Sequence, residues 1–175
     1  MDDINETYES FDDMGLSDDL LRGIYSIGFE YPSVIQQKAI VPLTRGIDMI
    51  AQPQSGTGKT GTFSIGSLQV IDPEVKSPQV LILSPTRELA QQTYDVVSQL
   101  NKYLDYSVTT LIGGKNMNHN FKQLDNGCQI VIGCPGRVYD MLKRFVLKTD
   151  TLKLLIVDEA DEMLSRGFKD QIYDI

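Results

Sequence analysis

A lysine and a hydroxyl directly behind closely spaced glycines can hold a phosphate, and the chain has such a run at Ser55-Gly56-Thr57-Gly58-Lys59-Thr60. The glycines let the backbone curl, so that its N–H groups converge on an anion at the start of the following helix. Lys59 then reaches the β- and γ-phosphates of a nucleotide, and the Thr60 hydroxyl ligates Mg²⁺. A Gly-rich turn that merely precedes a helix is the plain alternative, because Gly-Lys-Thr alone arises by chance. Strand, glycines, Lys-Thr and helix in that order favour the phosphate loop. The eight-residue loop usually opens with Gly or Ala, and here it opens with Pro53. Proline fixes φ and removes a backbone donor. Nucleotide affinity falls if that N–H or angle is used, and is untouched if the position is already extended.

A second candidate follows the apolar run Leu154–Val157, which ends in Asp158-Glu159-Ala160-Asp161. A buried strand that delivers Asp and then Glu can bind Mg²⁺ through water with the first carboxylate and orient or activate a water nucleophile with the second. As structure alone, acids at a strand end are a solvated cap. Lys59, Asp158 and Glu159 together are the candidate catalytic set, with Thr60 and Asp158 the candidate metal ligands.

Elements of ordinary kinds have to position these residues. At 175 residues the chain can bury one sizeable core. No apolar run approaches the roughly 18–20 residues of a membrane span. The start, Met1-Asp2-Asp3-Ile4-Asn5-Glu6, is neither a secretory signal nor a basic transit peptide. Residues 1–10 read as an acidic flexible tail. Cys128 and Cys134 have no metal-like spacing and read as reduced thiols of a cytosolic or nuclear protein. One histidine, His119, in a polar stretch, excludes a histidine-based metal site. A formal charge of −8 argues against indiscriminate polyanion binding.

Ser17-Asp18-Asp19 starts a helix carrying Leu20, Leu21, Ile24 and Ile27 at helical spacing, and Gly28 ends it. A second helix begins near Ser33. Helical stretches then alternate with apolar runs at 49–51, 80–83, 108–112, 130–132 and 154–157. Most of these runs are apolar at every position, as in strands buried on both faces. The pattern predicts an α/β fold with a mostly parallel sheet flanked by helices, and ligands at the carboxyl ends of its strands.

Further segments supply a resemblance. Asp158-Glu159-Ala160-Asp161 is accompanied by Pro85-Thr86-Arg87-Glu88-Leu89-Ala90, Gly113-Gly114 and Pro135-Gly136-Arg137. Phe11 is followed, after sixteen residues, by Gly28-Phe29-Glu30-Tyr31-Pro32-Ser33-Val34-Ile35-Gln36. In this order the segments resemble motif II, motif Ia, the GG element, motif Ib and the Q motif of the DEAD-box RNA helicases. Residues 11–175 are thereby identified as an N-terminal RecA-like P-loop domain, with Asp158–Ile175, including Met163-Leu164-Ser165 and Gly167-Phe168-Lys169, most similar to the initiation factor 4A branch. Splicing and exon-junction members of the family are the nearby alternatives.

The resemblance implies that Gln36 reads adenine with an amide that both donates and accepts, and that the base lies on Phe29. Ser33-x-x-Gln36 is also a capping box for the second helix, and the two roles are compatible. Ser55, Gly56, Thr57, Gly58, Lys59 and Thr60 complete the nucleotide site. RNA falls to Pro85, Thr86, Arg87, Gly113, Gly114, Pro135, Gly136 and Arg137. Thr86 and Gly136 precede predicted helices, where backbone N–H groups favour phosphates. Such a grip reads a single strand's backbone without base specificity and needs no globally basic surface, which reconciles it with the net charge. Motif Ib usually carries Thr where this chain has Cys134, a poorer donor, so a weakened phosphate contact is expected there.

The cofactors implied are ATP and Mg²⁺. The implied partners are RNA and a scaffold protein of the initiation factor 4G type, with no membrane, for a monomeric cytoplasmic protein (nuclear for a splicing or exon-junction member). The sequence stops inside the helix after Asp158–Asp161, before the family's Ser-Ala-Thr motif and second RecA-like domain. The expectation is therefore an apparently truncated sheet, negligible ATP hydrolysis and no unwinding by this chain alone. A catalytically silent nucleotide- or scaffold-binding module is the competing reading.

Overall fold

The computed structural model describes residues 6–52, 56–114 and 116–175. Pro53 and Ser55 lie outside the described residues, and with them the question of what the proline does to the phosphate loop. The described chain divides into two compact units, one of residues up to Val70 with Val96–Asp105, the other of Ile71–Asp95 with Tyr106–Ile175.

The first unit is helical. Phe11–Met14 form a 3-10 turn, after which come α1 (Asp18–Ser26), α2 (Val34–Thr44) and α3 (Lys59–Gln69). Helix α1 starts behind Ser17 with two acids in its first turn, which suits the helix dipole, and buries Leu20, Gly23 and Ile24. Gly23 is required there, because any side chain would run into the Leu100 carbonyl. The chain leaves α1 through Gly28 at φ +86°, whose N–H donates to the Tyr25 carbonyl at 3.1 Å. Helices α2 and α3 pack closely because Gly66 leaves room for the Leu43 side chain.

The second unit holds the sheet. Strands β1 (Val80–Leu83), β2 (Val108–Leu111), β3 (Ile130–Gly133) and β4 (Leu154–Val157) are connected through α4 (Arg87–Leu100), α5 (Met117–Asp125) and α6 (Pro135–Lys143). Helices α7 (Ala160–Ser165) and α8 (Lys169–Asp174) follow β4. The sheet is parallel throughout, in the order β2-β3-β1-β4. Strands β1 and β3 are buried along their whole length, as their unbroken apolar character predicts. Leu81, Leu83, Val131, Val138 and Met141 lie in the core of this unit, each worth about 1.5–3 kcal/mol when fully buried.

Two expectations are corrected. Strand β4 is not covered on both faces: Leu155 and Val157, two residues apart and so on one face, are 44% and 37% exposed, and among the described strands only β1 pairs with it. The apolar run Met49-Ile50-Ala51 is not a strand, and Ile50 is 97% exposed. Three apolar residues cannot hold an extended conformation unless a neighbouring strand takes up their N–H and carbonyl groups. None of the described strands pairs with this segment.

The amino-terminal ends of the strands are tied down by buried amides. Gln79 accepts from the Asp72 N–H at 2.8 Å and donates to the carbonyls of Asp72 and Val75, both at 2.9 Å. Gln129 accepts from the Ser107 N–H at 2.8 Å. The carboxyl ends of the strands carry the motif residues.

Candidate nucleotide and nucleic-acid sites

In the first unit the Q-motif residues meet the glycine loop. Gln36, 4% exposed, accepts from the Ser33 N–H at 2.8 Å and reaches the Gly58 carbonyl with Nε2 at 3.4 Å. The first of these bonds is the capping-box contact expected at the start of α2. Each end of the amide keeps further capacity, one lone pair and one proton, for a ligand. Gly56 and Gly58 take φ of +79° and +93°, a curl that residues with a Cβ rarely adopt. A Cβ on Gly58 would stand 2.8 Å from Ser33 Oγ and 3.0 Å from Gln36 Nε2. One on Gly61 would stand 2.8 Å from Gln36 Nε2 and 3.0 Å from Phe29 Cε2. Phe29 and Gln36 are thus pressed against the loop and the first turn of α3, a turn without acidic residues whose positive end stays available to an anion. Lys59 and Thr60, both half-buried, open that turn.

Gly61 was not among the residues singled out by sequence. Its signal was a glycine inside a helix, which costs about 1 kcal/mol relative to alanine and has to be repaid by packing.

In the second unit Asp158 continues β4, its N–H donating to the Leu83 carbonyl at 2.9 Å, and is 7% exposed. Glu159 adopts the left-handed region (φ 52°, ψ 51°) and caps α7, its carbonyl accepting from the Met163 N–H at 3.1 Å. For a residue with a side chain this conformation costs about 1–2 kcal/mol, a strain that occurs preferentially at functional positions. Among the described residues no cluster of three His, Cys, Asp or Glu side chains could bind a metal unaided. The buried Asp158 carboxylate is nonetheless a donor of the kind that suits Mg²⁺.

The RNA candidates line one open groove of about 680 Å³ at the carboxyl ends of β1, β2 and β3. It brings together Pro85, Thr86, Arg87, Gly113, Gly136 and Arg137 from the sequence list, and adds Glu88, Cys134, Asp140, Arg166 and Phe168. Gly114 stands beside it under Arg87, and Pro135 is buried at the start of α6. The Thr86 hydroxyl accepts from the Leu89 N–H at 3.1 Å and so caps α4. Cys134 caps α6 without a side-chain bond. Burial raises the Cys134 thiol above its ordinary pKa; Arg87 lowers it and Glu88 raises it. Arg166 reached the groove from the helix after the acidic motif, where it is paired with Glu162 at 2.7 Å. Its signal in the sequence was only the i,i+4 spacing of Glu162 and Arg166. His119 is exposed, as its polar surroundings predict.

Comparisons with known proteins identify relatives of the chain. Residues 33–175 match the family model described as DEAD/DEAH box helicase. The chain is 58% identical over 171 residues to the ATP-dependent RNA helicase eIF4A of Chaetomium globosum, covering 98% of this chain and 43% of that protein. It is 57% identical to eukaryotic initiation factor 4A of Drosophila melanogaster, covering 98% of this chain and 42% of that protein. Among solved structures it matches a DEAD box protein from the hyperthermophile Methanococcus jannaschii with a TM-score of 0.91 and 35% identity, over 95% of this chain and 46% of that one. It also matches a variant of S. cerevisiae Dbp5 bound to RNA and ADP BeF3 with a TM-score of 0.85 and 38% identity, over 94% of this chain and 42% of that one. The chain therefore spans less than half the length of these relatives.

Proposed function

The chain belongs to the DEAD/DEAH box helicase family, and from that premise we propose that it is the ATP- and RNA-binding RecA-like domain of an ATP-dependent RNA helicase of the initiation factor 4A type. The observation that carries this reading is the Gln36 amide, held between the Ser33 N–H and the Gly58 carbonyl and pressed against the phosphate loop. An amide fixed in that way presents a donor and an acceptor to the paired polar edge of adenine, while Phe29 supplies the face on which the base lies.

Lys59 neutralises the β- and γ-phosphates, and the backbone N–H groups at the start of α3 receive their oxygens. Thr60 and, through water, Asp158 would hold Mg²⁺, which when bound neutralises charge developing on the phosphates. Glu159 orients the attacking water and accepts its proton on the carboxylate. The groove lined by Thr86, Arg87, Gly113, Gly136 and Arg137 takes the sugar-phosphate chain of single-stranded RNA. Backbone donors and a few arginines suffice for that, so a chain of net charge −8 can bind RNA locally. In the whole protein, ATP binding would close this domain and a second one on RNA, and hydrolysis would release it. A scaffold partner and a cytoplasmic role in translation initiation accompany this reading by relationship to initiation factor 4A.

The test is a calorimetric titration of the chain with Mg-ADP and with Mg-GDP, with Gln36→Ala in parallel. ADP binding that the substitution abolishes, with no GDP binding, is the expected result. Equal binding of both nucleotides, or ADP binding indifferent to Gln36→Ala, would refute the adenine site.

A further inference from the structure

We propose that Asn120 is a positioning residue for RNA, acting through Arg137; the inference rests on the RNA-binding reading of the groove. Asn120 belongs to no motif of the sequence, yet it is a fully buried polar side chain on α5. Its Oδ1 accepts from Arg137 Nη1 at 3.0 Å, and its Nδ2 donates to the Thr110 carbonyl at 3.0 Å, near the end of β2. Both ends of the amide are engaged, so its orientation is set by the strand on one side and read by the arginine on the other.

An arginine on an exposed helix start loses much side-chain freedom when it meets a phosphate. Here part of that freedom is given up on folding, because a buried group anchored to the sheet already holds one guanidinium nitrogen. Preorganisation of this kind raises affinity without adding a contact to the ligand. The Asn120 bond engages one of the five N–H donors of the guanidinium. An amide also holds the guanidinium without itself cancelling its charge. Arg166 in the same groove is held by the Glu162 carboxylate instead.

The experiment is fluorescence anisotropy of a labelled oligouridylate with this chain over a series of salt concentrations, for Asn120→Ala, Arg137→Ala, the double variant and Asn120→Asp, with thermal melting of each. Arg137→Ala is expected to weaken RNA about tenfold and to reduce the slope of log affinity against log salt by about one. Asn120→Ala is expected to weaken RNA about threefold or more, and to add nothing when Arg137 is already alanine. Asn120→Asp keeps the acceptor for Arg137 but loses the donor to Thr110 and sets a carboxylate against the guanidinium, so it is expected to melt earlier and to weaken RNA about threefold or more. If Arg137→Ala weakens RNA and Asn120→Ala does not, or if their losses add, the positioning role is overturned and the RNA reading stands. An Arg137→Ala chain that binds RNA like the parent would overturn both.

Discussion

Two strand-to-helix turns face the same groove and solve the same problem differently. After β1, the Thr86 hydroxyl closes the start of α4 on the Leu89 N–H, and the guanidinium of Arg87 lies across two glycines. After β3, Cys134 leaves α6 without a side-chain cap, Pro135 supplies no N–H at the first helical position, and Arg137 is held by the buried Asn120. The first turn is rigid at its cap and steers its arginine by the absence of side chains beneath it. The second is looser at its cap and steers its arginine by a directed hydrogen bond. One supersecondary unit can therefore aim a cation by shape or by bonding, and the two devices fail in different ways.

Substitutions that remove the space at these turns should have the largest effect. At the end of β3, a Cβ on Gly133 would stand 2.6 Å from Val138 Cγ2 and 2.7 Å from the Leu111 carbonyl oxygen. Gly133→Ala should cost about 3 kcal/mol, read as a lower urea midpoint at unchanged slope. On the Arg87 side, Gly114 sits at φ +84°, and a Cβ there would stand 2.8 Å from Arg87 Nη1. Gly114→Val should cost about 2 kcal/mol through backbone strain, and it should also weaken RNA by displacing the guanidinium. Loss of stability with RNA affinity preserved would show that the double glycine is a turn device only.

Exchanging the caps tests the contrast more gently. Thr86→Ala should lose about 1 kcal/mol, and Cys134→Thr should gain a similar amount by giving α6 the hydroxyl that α4 has. The Cys134→Thr chain should also bind RNA more tightly if the thiol weakens a phosphate contact. A stability change of the same sign in both variants would mean that Cys134 already does the work of a cap.

The smallest effect is chemical. Since the Cys134 thiol is raised above its ordinary value, less thiolate is present at neutral pH, and iodoacetamide should react more slowly than with a free cysteine. Glu88→Gln should speed the reaction by removing an upward influence, and Arg87→Ala should slow it by removing a downward one. Cys128, pushed up to about 12 by burial, is the internal control and should remain unmodified until the chain unfolds. Peptide mass spectrometry after timed alkylation reads all three, and equal rates in the Glu88 and Arg87 variants would separate the two turns electrostatically.

Much of this molecule was legible in its sequence, for a local reason. Helix starts such as Ser17-Asp18-Asp19 and Ser33-x-x-Gln36 are specified by neighbours within one turn, and both helices begin where those residues say. Three of the four runs that became strands are apolar at successive positions, and that pattern needs no partner to be recognised. The order of the motifs along the chain suffices to point to the family, and the groove gathers most of the residues assigned to RNA.

The remainder depended on neighbours distant in sequence. The run at 49–51 has the composition of a strand but lacks a described partner for its backbone, and hydrogen-bond pairing is a property of two strands. The exposed face of β4 depends on what the fold packs over it, which the residues of the strand do not reveal. Gly61 against Gln36, Arg87 over the double glycine, and Asn120 between Thr110 and Arg137 are contacts across 10 to 27 positions of sequence. Residue types and short spacings determined which chemistry this protein carries. Packing alone decided how each reactive side chain is held, because a side chain's freedom is limited by whatever the fold brings against it.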